Sequence, residues 1–171
     1  MKTDKSQKSP MCRLCSALGT AILMALILLC IPFTLPRFLG YQAYAVVSGS
    51  MEPAISTGSL VYVKGMEPEE VRTGEVIAYY GGRDQNSVVT HRVVENRVDE
   101  KAFITKGDAN RTVDMNTVKY DFLIGRVEFS VPGAGIIAQL MTSTKGKIAA
   151  GCMIGLAVIL HLLATMLDRF R

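Results

Sequence analysis

The chain has 171 residues and a formal net charge of +4, and 49% of its residues are hydrophobic. The basic excess lies near the two ends, so the long region between them has no clustered basic face to neutralise phosphates, and we expect no nucleic-acid partner. Two of the four cysteines fall inside apolar segments, and the four together form no pattern of a disulfide framework. Composition therefore argues against a nucleic-acid-binding protein and against a disulfide-rich secreted domain.

The N-terminal part consists of a basic tail, residues 1–13, and an apolar segment, residues 14–36. No charged residue lies between Arg13 and Arg37, and a helix of this length can cross the roughly 30 Å hydrocarbon core of a bilayer. A removable signal peptide is the alternative, because Ala43-Tyr44-Ala45 has the small-x-small pattern of a cleavage site, after which the chain could also cut itself. The apolar segment is longer than that of a typical signal peptide, which favours a retained transmembrane helix.

The C-terminal part repeats this arrangement with an apolar segment, residues 148–167, and a short tail, residues 168–171. By the positive-inside rule the basic tails favour the cytoplasm, so residues 38–147 are expected outside the cytoplasm of a two-pass cell-membrane protein. Lys145 and Lys147 oppose this orientation, but the first helix usually dominates. The sequence therefore predicts a polar domain held at a lipid bilayer by both of its ends.

The region 38–147 has the composition of short strands separated by turns. Runs rich in Val, Tyr and Thr predict strands at 60–63, 75–80, 87–94, 102–105 and 124–127. Turns are expected at Thr57-Gly58, Thr73-Gly74, Gly81-Gly82 and Lys106-Gly107-Asp108, and the apolar, glycine-containing residues 132–138 are expected at the membrane surface. This pattern predicts a mainly β fold, a small barrel or sandwich.

Two polar motifs in this region carry groups suited to nucleophilic chemistry. In Ser48-Gly49-Ser50-Met51-Glu52-Pro53, glycine and proline constrain the backbone, so the turn can present the Ser50 hydroxyl in one direction. In Thr90-His91-Arg92, a predicted strand holds the only histidine of residues 38–147. Taken singly, each motif has an ordinary structural interpretation, the first as a turn and the second as a packed strand histidine.

A third polar motif, residues 107–114, supplies two carboxylates, Asp108 and Asp114, either of which could orient a histidine. Its alternating oxygen-bearing residues also suggest a calcium loop, but Val113 stands where such a loop needs glycine. A lone C-x-x-C pair near the N-terminus lacks the further ligands of a zinc site. The sequence therefore predicts no metal ion and no other cofactor.

Together the three motifs resemble the active-site boxes of type I signal peptidases. The resemblance is to the branch shared by the endoplasmic-reticulum enzyme, archaea and the sporulating-bacterial form, in which histidine replaces the lysine of typical bacterial enzymes. Ser-Gly-Ser-Met-x-Pro at 48–53 resembles the nucleophile box, Thr90 to Val94 the base box, and Thr105 to Asp114 the acid box. The resemblance covers roughly 41–131 and implies a signal-peptidase-like β domain flanked by N- and C-terminal transmembrane helices.

The resemblance implies a role for each matching residue. Ser50 is the expected nucleophile, and His91 is the expected general base that takes its proton. Asp114 is the preferred acid to orient the histidine, with Asp108 as the competing candidate. The family's acid box often ends in two adjacent aspartates, and Val113 here replaces the first of them.

The implied activity is that of a membrane-bound serine endopeptidase that removes signal peptides from exported preproteins at small-x-small sites. By resemblance, the Ser48 hydroxyl joins the Ser50 N–H in an oxyanion hole. An apolar surface around Met51 and Ile136 is expected to contact substrate and membrane. The implied partners are preprotein signal peptides and the lipid bilayer, with the secretion translocon as a further candidate.

Two other classes remain open from the sequence. One is an autocleaving regulatory serine protease of a related fold, which pairs serine with lysine, and His91 and the two apolar spans argue against it. The other is a catalytically inactive, membrane-tethered β-domain scaffold, in which Ser50 and His91 are ordinary residues. Loss of activity on removal of the Ser50 hydroxyl distinguishes the enzyme from the scaffold.

Overall fold

The computed structural model describes residues 10–81 and 87–169. The chain divides into a helical unit, made of the terminal segments up to Pro32 and from Met141 onward, and a β unit that spans Phe33–Leu140. The prediction of a mainly β domain with flanking helices is confirmed. The predicted turn at Gly81-Gly82 extends outside the described residues.

The β unit is built on one antiparallel sheet that, in the described ranges, has seven strands in the order β1-β2-β7-β3-β4-β5-β6. The strands are β1 Tyr41–Ala45, β2 Leu60–Lys64, β3 Val76–Gly81, β4 Ser87–Arg97, β5 Ala102–Lys106, β6 Val118–Lys119 and β7 Leu123–Val131. Single turns of 3₁₀ helix precede β3 and β7, at Pro68–Glu70 and Tyr120–Phe122. Five of these strands match the predicted runs, whereas β1 and β6 were not predicted.

The core of the β unit lies on both sides of the central strand β3. Successive side chains of a strand point to opposite faces, so Ile77 and Tyr79 enter one apolar cluster while Ala78 enters another. The first cluster is completed by Val71, Val93, Phe103, Val118 and Tyr120, and the second by Met51, Ile55, Val61 and Val63. Burial of each large side chain contributes roughly 1.5–3 kcal/mol, and these two clusters fix the strands that carry the polar motifs.

Gly125 allows β7 to pass close to the segment after β2. Its φ is +156°, and a methyl group there would overlap the carbonyl of Lys64. The pairing of β7 with β3 also shifts at this point, between Ala78 and Tyr79. A residue with a side chain cannot occupy this position without moving β2 from β7, so glycine is required here.

The helices of the described ranges are α1 Pro10–Phe38, α2 Ala134–Thr142 and α3 Thr144–Arg169. Helices α1 and α3 are long and apolar enough to cross a membrane. Within the helical unit, a methyl group on Gly19 would lie 3.0 Å from the Ala157 carbonyl oxygen and from the His161 ring, so α1 and α3 pack closely there. The Cys12 thiol donates to the Ala164 carbonyl at 3.1 Å.

Candidate active site

Ser50 lies in the loop between β1 and β2, and hydrogen bonds join the two ends of this loop. The Val46 N–H donates to the Ser59 carbonyl at 2.9 Å, and the Gly58 N–H donates to the Val46 carbonyl at 2.8 Å. Next to Ser50, the Met51 side chain is 1% exposed and packs into the core. Ser50 is therefore directly followed by a residue, Met51, whose side chain is held in the core.

A second serine hydroxyl lies beside the first. The hydroxyl oxygens of Ser48 and Ser50 are 3.4 Å apart. Later in the same loop, the Glu52 carboxylate accepts hydrogen bonds from the Thr57 hydroxyl at 3.0 Å and from its N–H at 3.3 Å. The turn that follows Ser50 is thus tied to the end of the loop.

His91 lies on β4 opposite Ile77 of β3, and only 9% of it is exposed. Its Nδ1 is 2.6 Å from Oδ2 of Asp114, and the same oxygen accepts a hydrogen bond from the Thr105 hydroxyl at 2.6 Å. Because Nδ1 faces a carboxylate, it carries the proton and donates it to this hydrogen bond. The other ring nitrogen, Nε2, is left to accept a proton.

Gly107 lies where the serine loop and the histidine approach each other. A methyl group on Gly107 would be 2.6 Å from the Ser50 carbonyl oxygen, 2.8 Å from Asn110 Nδ2 and 3.0 Å from His91 Nε2. These three atoms therefore lie within a few ångströms of one point. His91 Nε2 and the Ser50 carbonyl oxygen are therefore close to each other, and the absence of a side chain at Gly107 permits this approach.

Asp108 has a different partner from Asp114. Its two carboxylate oxygens accept hydrogen bonds from Arg92 Nε at 2.8 Å and Nη2 at 2.6 Å, and Arg92 Nη1 also donates to the Gly74 carbonyl at 2.7 Å. This hydrogen bonding to Asp108 raises the pKa of the Arg92 guanidinium. The N–H of the next residue, Ala109, donates to the Ser50 carbonyl at 2.9 Å. Asp108 thus anchors the loop that contacts the serine segment.

The Tyr79 hydroxyl lies near the same ring nitrogen of the histidine that faces Asp114. Its oxygen is 3.5 Å from His91 Nδ1, and the two rings make an edge contact. Burial is the main cause that raises the pKa of Tyr79; a hydrogen bond with Thr105 lowers it, and the Asp114 charge raises it further. The phenol therefore stays neutral over the physiological range and adds no charge beside the histidine.

A cavity of about 90 Å³ opens beside Ser50. Its lining includes Tyr44, Ala45, Ser50, Met51, Val88 and Thr90. The lining comes from the serine loop and from strands β1, β2 and β4, so the cavity lies between these strands and the candidate nucleophile.

Met51 and Ile136, expected together on one apolar surface, occupy different environments. Met51 is 1% exposed, so it does not contribute to a surface that faces a membrane; it lines the cavity instead. Ile136 is 62% exposed on α2, where it packs beside Gly58, and it is not part of the cavity lining. Met51 fills the core beneath the loop, and the predicted contact of Met51 and Ile136 with substrate and membrane stays a prediction.

The described residues include three contacts that reasoning from the sequence did not assign. Thr105 donates to Asp114, Arg92 holds Asp108, and Gly107 gives room for the histidine to approach the serine loop. All three lie inside the motifs already singled out, and their position there is the one available sequence signal. No group of three or more His, Cys, Asp or Glu side chains within residues 10–81 and 87–169 could hold a metal ion.

A serine beside a histidine–aspartate pair on a β domain is the arrangement typical of serine hydrolases. The chain is 43% identical over 82 residues to Signal peptidase I W of Bacillus subtilis, covering 46% of this chain and 42% of the relative. It is 32% identical over 129 residues to the signal peptidase complex catalytic subunit SEC11C of Rattus norvegicus, covering 67% of this chain and 65% of the relative. No protein-family model matches the chain.

The alignment to a third relative covers a larger share of that relative's length. The putative signal peptidase complex catalytic subunit SEC11B of Homo sapiens is 33% identical over 129 residues, which cover 68% of this chain and 76% of the relative. The chain therefore belongs to the type I signal peptidase family, in the branch of the endoplasmic-reticulum and sporulating-bacterial members. The alignments to Signal peptidase I W and to SEC11C span less than two thirds of those relatives.

Proposed function

We propose that the protein is a membrane-bound serine endopeptidase that removes signal peptides from exported preproteins at small-x-small sites. Its nucleophile is Ser50 and its general base is His91. The observation that carries the proposal is the environment of His91: Asp114 lies 2.6 Å from Nδ1, and Nε2, which has no hydrogen bond to another described residue, lies close to the Ser50 carbonyl oxygen. Membership of the signal peptidase family supports the choice of substrate.

The first half of the reaction forms an acyl-enzyme. The Ser50 oxygen attacks the scissile carbonyl carbon while its proton moves to His91 Nε2, and Asp114 stabilises the resulting imidazolium. As the tetrahedral intermediate collapses, the C–N bond breaks and Nε2 gives its proton to the leaving amine. The amine departs as the new N-terminus of the mature protein, and the signal peptide remains bound to Ser50 as an ester.

The second half of the reaction releases the signal peptide. A water molecule attacks the ester carbonyl and gives one proton to His91 Nε2, and the bond to the Ser50 oxygen then breaks. That oxygen regains the proton from Nε2, so the enzyme returns to its starting state. In both halves the negative carbonyl oxygen is stabilised by the Ser50 N–H and the Ser48 hydroxyl, which lies 3.4 Å from the Ser50 hydroxyl.

Cavity size supports the preference for small side chains. The 90 Å³ cavity lies directly beside Ser50, with the Met51 side chain as part of its wall. A substrate in extended conformation directs every second side chain to the same side, so the first and third residues before the cut both face the cavity wall. Small side chains at these two positions fit, and a large side chain there holds the scissile carbonyl away from Ser50.

The two apolar helices support a location at the membrane where preproteins emerge. Helices α1 and α3 are each long enough to span a bilayer, and the basic residues of the tails favour the cytoplasmic side. We infer a two-pass topology in the cell membrane with both termini in the cytoplasm and the β unit outside it. Partners are then preprotein signal peptides, the lipid bilayer and, as a candidate, the secretion translocon.

Replacement of the nucleophile tests this function. The full chain, purified in detergent with added phospholipid, is incubated with a preprotein that carries an Ala-x-Ala site, and the initial rate of cleavage is measured. Because the serine hydroxyl forms the acyl bond, we expect Ser50→Ala to lower kcat by at least roughly 10³-fold. The control is Ser56→Ala at an exposed serine of the same loop, which should cleave at the parent rate.

Three results would contradict the proposal. Cleavage by Ser50→Ala at the parent rate would remove Ser50 from the reaction. No cleavage by the parent protein, with folding verified by circular dichroism, would support the inactive membrane-tethered scaffold. Equal losses in Ser50→Ala and Ser56→Ala would indicate that the loop, and not one hydroxyl, is required.

A further inference from the structure

Thr105 contacts the proposed catalytic acid through both its side chain and its backbone. It lies on β5 opposite Val93 of β4 and is 0% exposed. Its hydroxyl donates to Asp114 Oδ2 at 2.6 Å, and its carbonyl accepts the Asp114 N–H at 2.8 Å. A residue fixed within the sheet thus holds Asp114 at two points.

Asp114 needs such support because it does not lie in a helix or a strand. The segment between β5 and β6, residues 107–117, has turns and bends without regular secondary structure. The carboxylate oxygen that accepts the Thr105 hydroxyl is also the oxygen that faces His91 Nδ1. The threonine therefore fixes the position of the one oxygen atom on which the orientation of the imidazole depends.

The chemistry of the hydroxyl matters as well as its position. A hydroxyl directed at a carboxylate donates its proton, so the Thr105 hydroxyl holds Asp114 Oδ2 by a hydrogen bond that a methyl group cannot make. The Tyr79 hydroxyl and the Asp114 carboxylate are the other ionisable groups that face this side of the imidazole, and the Tyr79 phenol stays neutral because burial raises its pKa. Among the described residues, the Thr105 hydroxyl and His91 Nδ1 both contact Asp114 Oδ2 at 2.6 Å, and the Tyr79 hydroxyl makes a further side-chain hydrogen bond with Asp114.

We propose that Thr105 is a positioning residue for the reaction, which acts by holding Asp114 Oδ2 against His91 Nδ1. The inference rests on the proposed function, since it assigns the support of that same site. Loss of the Thr105 hydroxyl should lower the rate of the chemical step, because Thr105 is not part of the lining of the cavity beside Ser50. Substrate binding should change little.

Replacement by valine tests the hydroxyl, because valine keeps the shape of threonine and suits a strand. In the preprotein assay with the full chain, we expect Thr105→Val to lower kcat roughly ten- to a hundredfold, the range usual for residues that orient a catalytic group, with KM within about twofold of the parent. Thr105→Ser, which restores the hydroxyl, should recover most of the rate. Thr112→Val, at an exposed threonine of the same segment, is the matched control and should leave the rate unchanged.

A double-mutant cycle separates positioning from a purely structural role. In an Asp114→Asn background the carboxylate is already lost, so we expect Thr105→Val to cost less than about threefold there. An equal loss in both backgrounds would mean that Thr105 acts through strand packing, and it would overturn the proposal. So would a Thr105→Val rate equal to that of the parent, or a Thr105→Ser rate as low as that of valine.

The assay also distinguishes failure of this inference from failure of the proposed function. If the parent shows no Ser50-dependent cleavage, the proposed function fails and this inference fails with it. If the parent cleaves in a Ser50-dependent manner and the cycle shows no coupling, only the role of Thr105 is overturned.

Discussion

The two ends of the segment between β5 and β6 carry the same side chain and hold different partners. At one end Asp108 binds the guanidinium of Arg92 through both of its oxygens. At the other end Asp114 binds the imidazole of His91 through a single oxygen. A guanidinium remains charged at physiological pH, whereas an imidazole can gain and lose a proton. The partner, and not the aspartate, therefore determines which end can take part in proton transfer.

Each of the two aspartates also holds a different part of the site in place. The Asp108 end fixes the position of the segment, and the neighbouring Ala109 N–H reaches the Ser50 carbonyl at 2.9 Å. The Asp114 end fixes the orientation of the imidazole. Gly107, which directly precedes Asp108, provides the space in which the serine loop and His91 Nε2 approach each other. Substitutions at three residues of this segment test these separate roles, because each should lower activity to a different extent.

The largest effect is expected at Asp114. Asp114→Asn keeps the shape of the side chain but removes the charge that stabilises the imidazolium, and an amide can favour the wrong tautomer of His91. We expect kcat in the preprotein assay to fall by roughly 10³- to 10⁴-fold, with KM little changed. Measurement of both constants, with folding verified by circular dichroism, checks this. A loss smaller than that of Asp108→Asn would reverse the two assignments.

An intermediate effect is expected at Gly107. In Gly107→Ala the added methyl group would lie 2.6 Å from the Ser50 carbonyl oxygen and 3.0 Å from His91 Nε2, so one of them must move. A displacement of about 1 Å between reacting groups can cost on the order of 10²-fold in rate, and we expect a loss of that size in kcat. Gly65→Ala, where the nearest described atom is 3.9 Å away, is the control and should retain the parent rate. Equal rates for both variants would show that Gly107 is not needed for this approach.

The smallest effect is expected at Asp108. Asp108→Asn removes one charge of a pair that is partly open to solvent, since 37% of the Arg92 side chain is exposed. We expect a loss of about 1 kcal/mol in the free energy of unfolding and less than about tenfold in kcat, because the amide can still accept one hydrogen bond. Urea titration and the preprotein assay measure the two quantities. A kcat loss near 10³-fold with unchanged stability would make Asp108 a member of the catalytic group.

Strands rich in residues with high strand preference could be predicted from the sequence. Strands that form mainly because they pair with a neighbouring strand could not. Val, Tyr and Thr mark β2 and β4 clearly. Strand β1 contains Gln and two Ala, which have weak strand preference, and it is ordered by pairing along its whole length with β2. No helix was predicted at residues 132–138, which contain two glycines, yet α2 begins at Ala134. A methyl group at Gly135 would overlap the Ser59 carbonyl, so this glycine is needed for packing.

The site was predictable as a set of motifs but not as a set of contacts. Order along the chain indicated a serine, a histidine and two candidate acids, and the sequence left Asp108 and Asp114 both open. Their partners, Arg92 and His91, are adjacent residues on β4 that point to opposite faces of the strand. The pairing of β4 with β5 brings each acid to the face of β4 on which its partner lies. The register of this strand pairing depends on tertiary structure, so the sequence alone did not predict it.

In the proposed reaction Ser50, activated by His91 and Asp114, cuts a preprotein behind a small-x-small site. The most direct measurement is the N-terminal sequence of the product from an Ala-x-Ala preprotein, with Ser50→Ala protein as the blank. We predict one new N-terminus immediately after the second alanine, which is absent from the blank. The same N-terminus at equal yield in the blank, or a cut at another bond, would contradict the account.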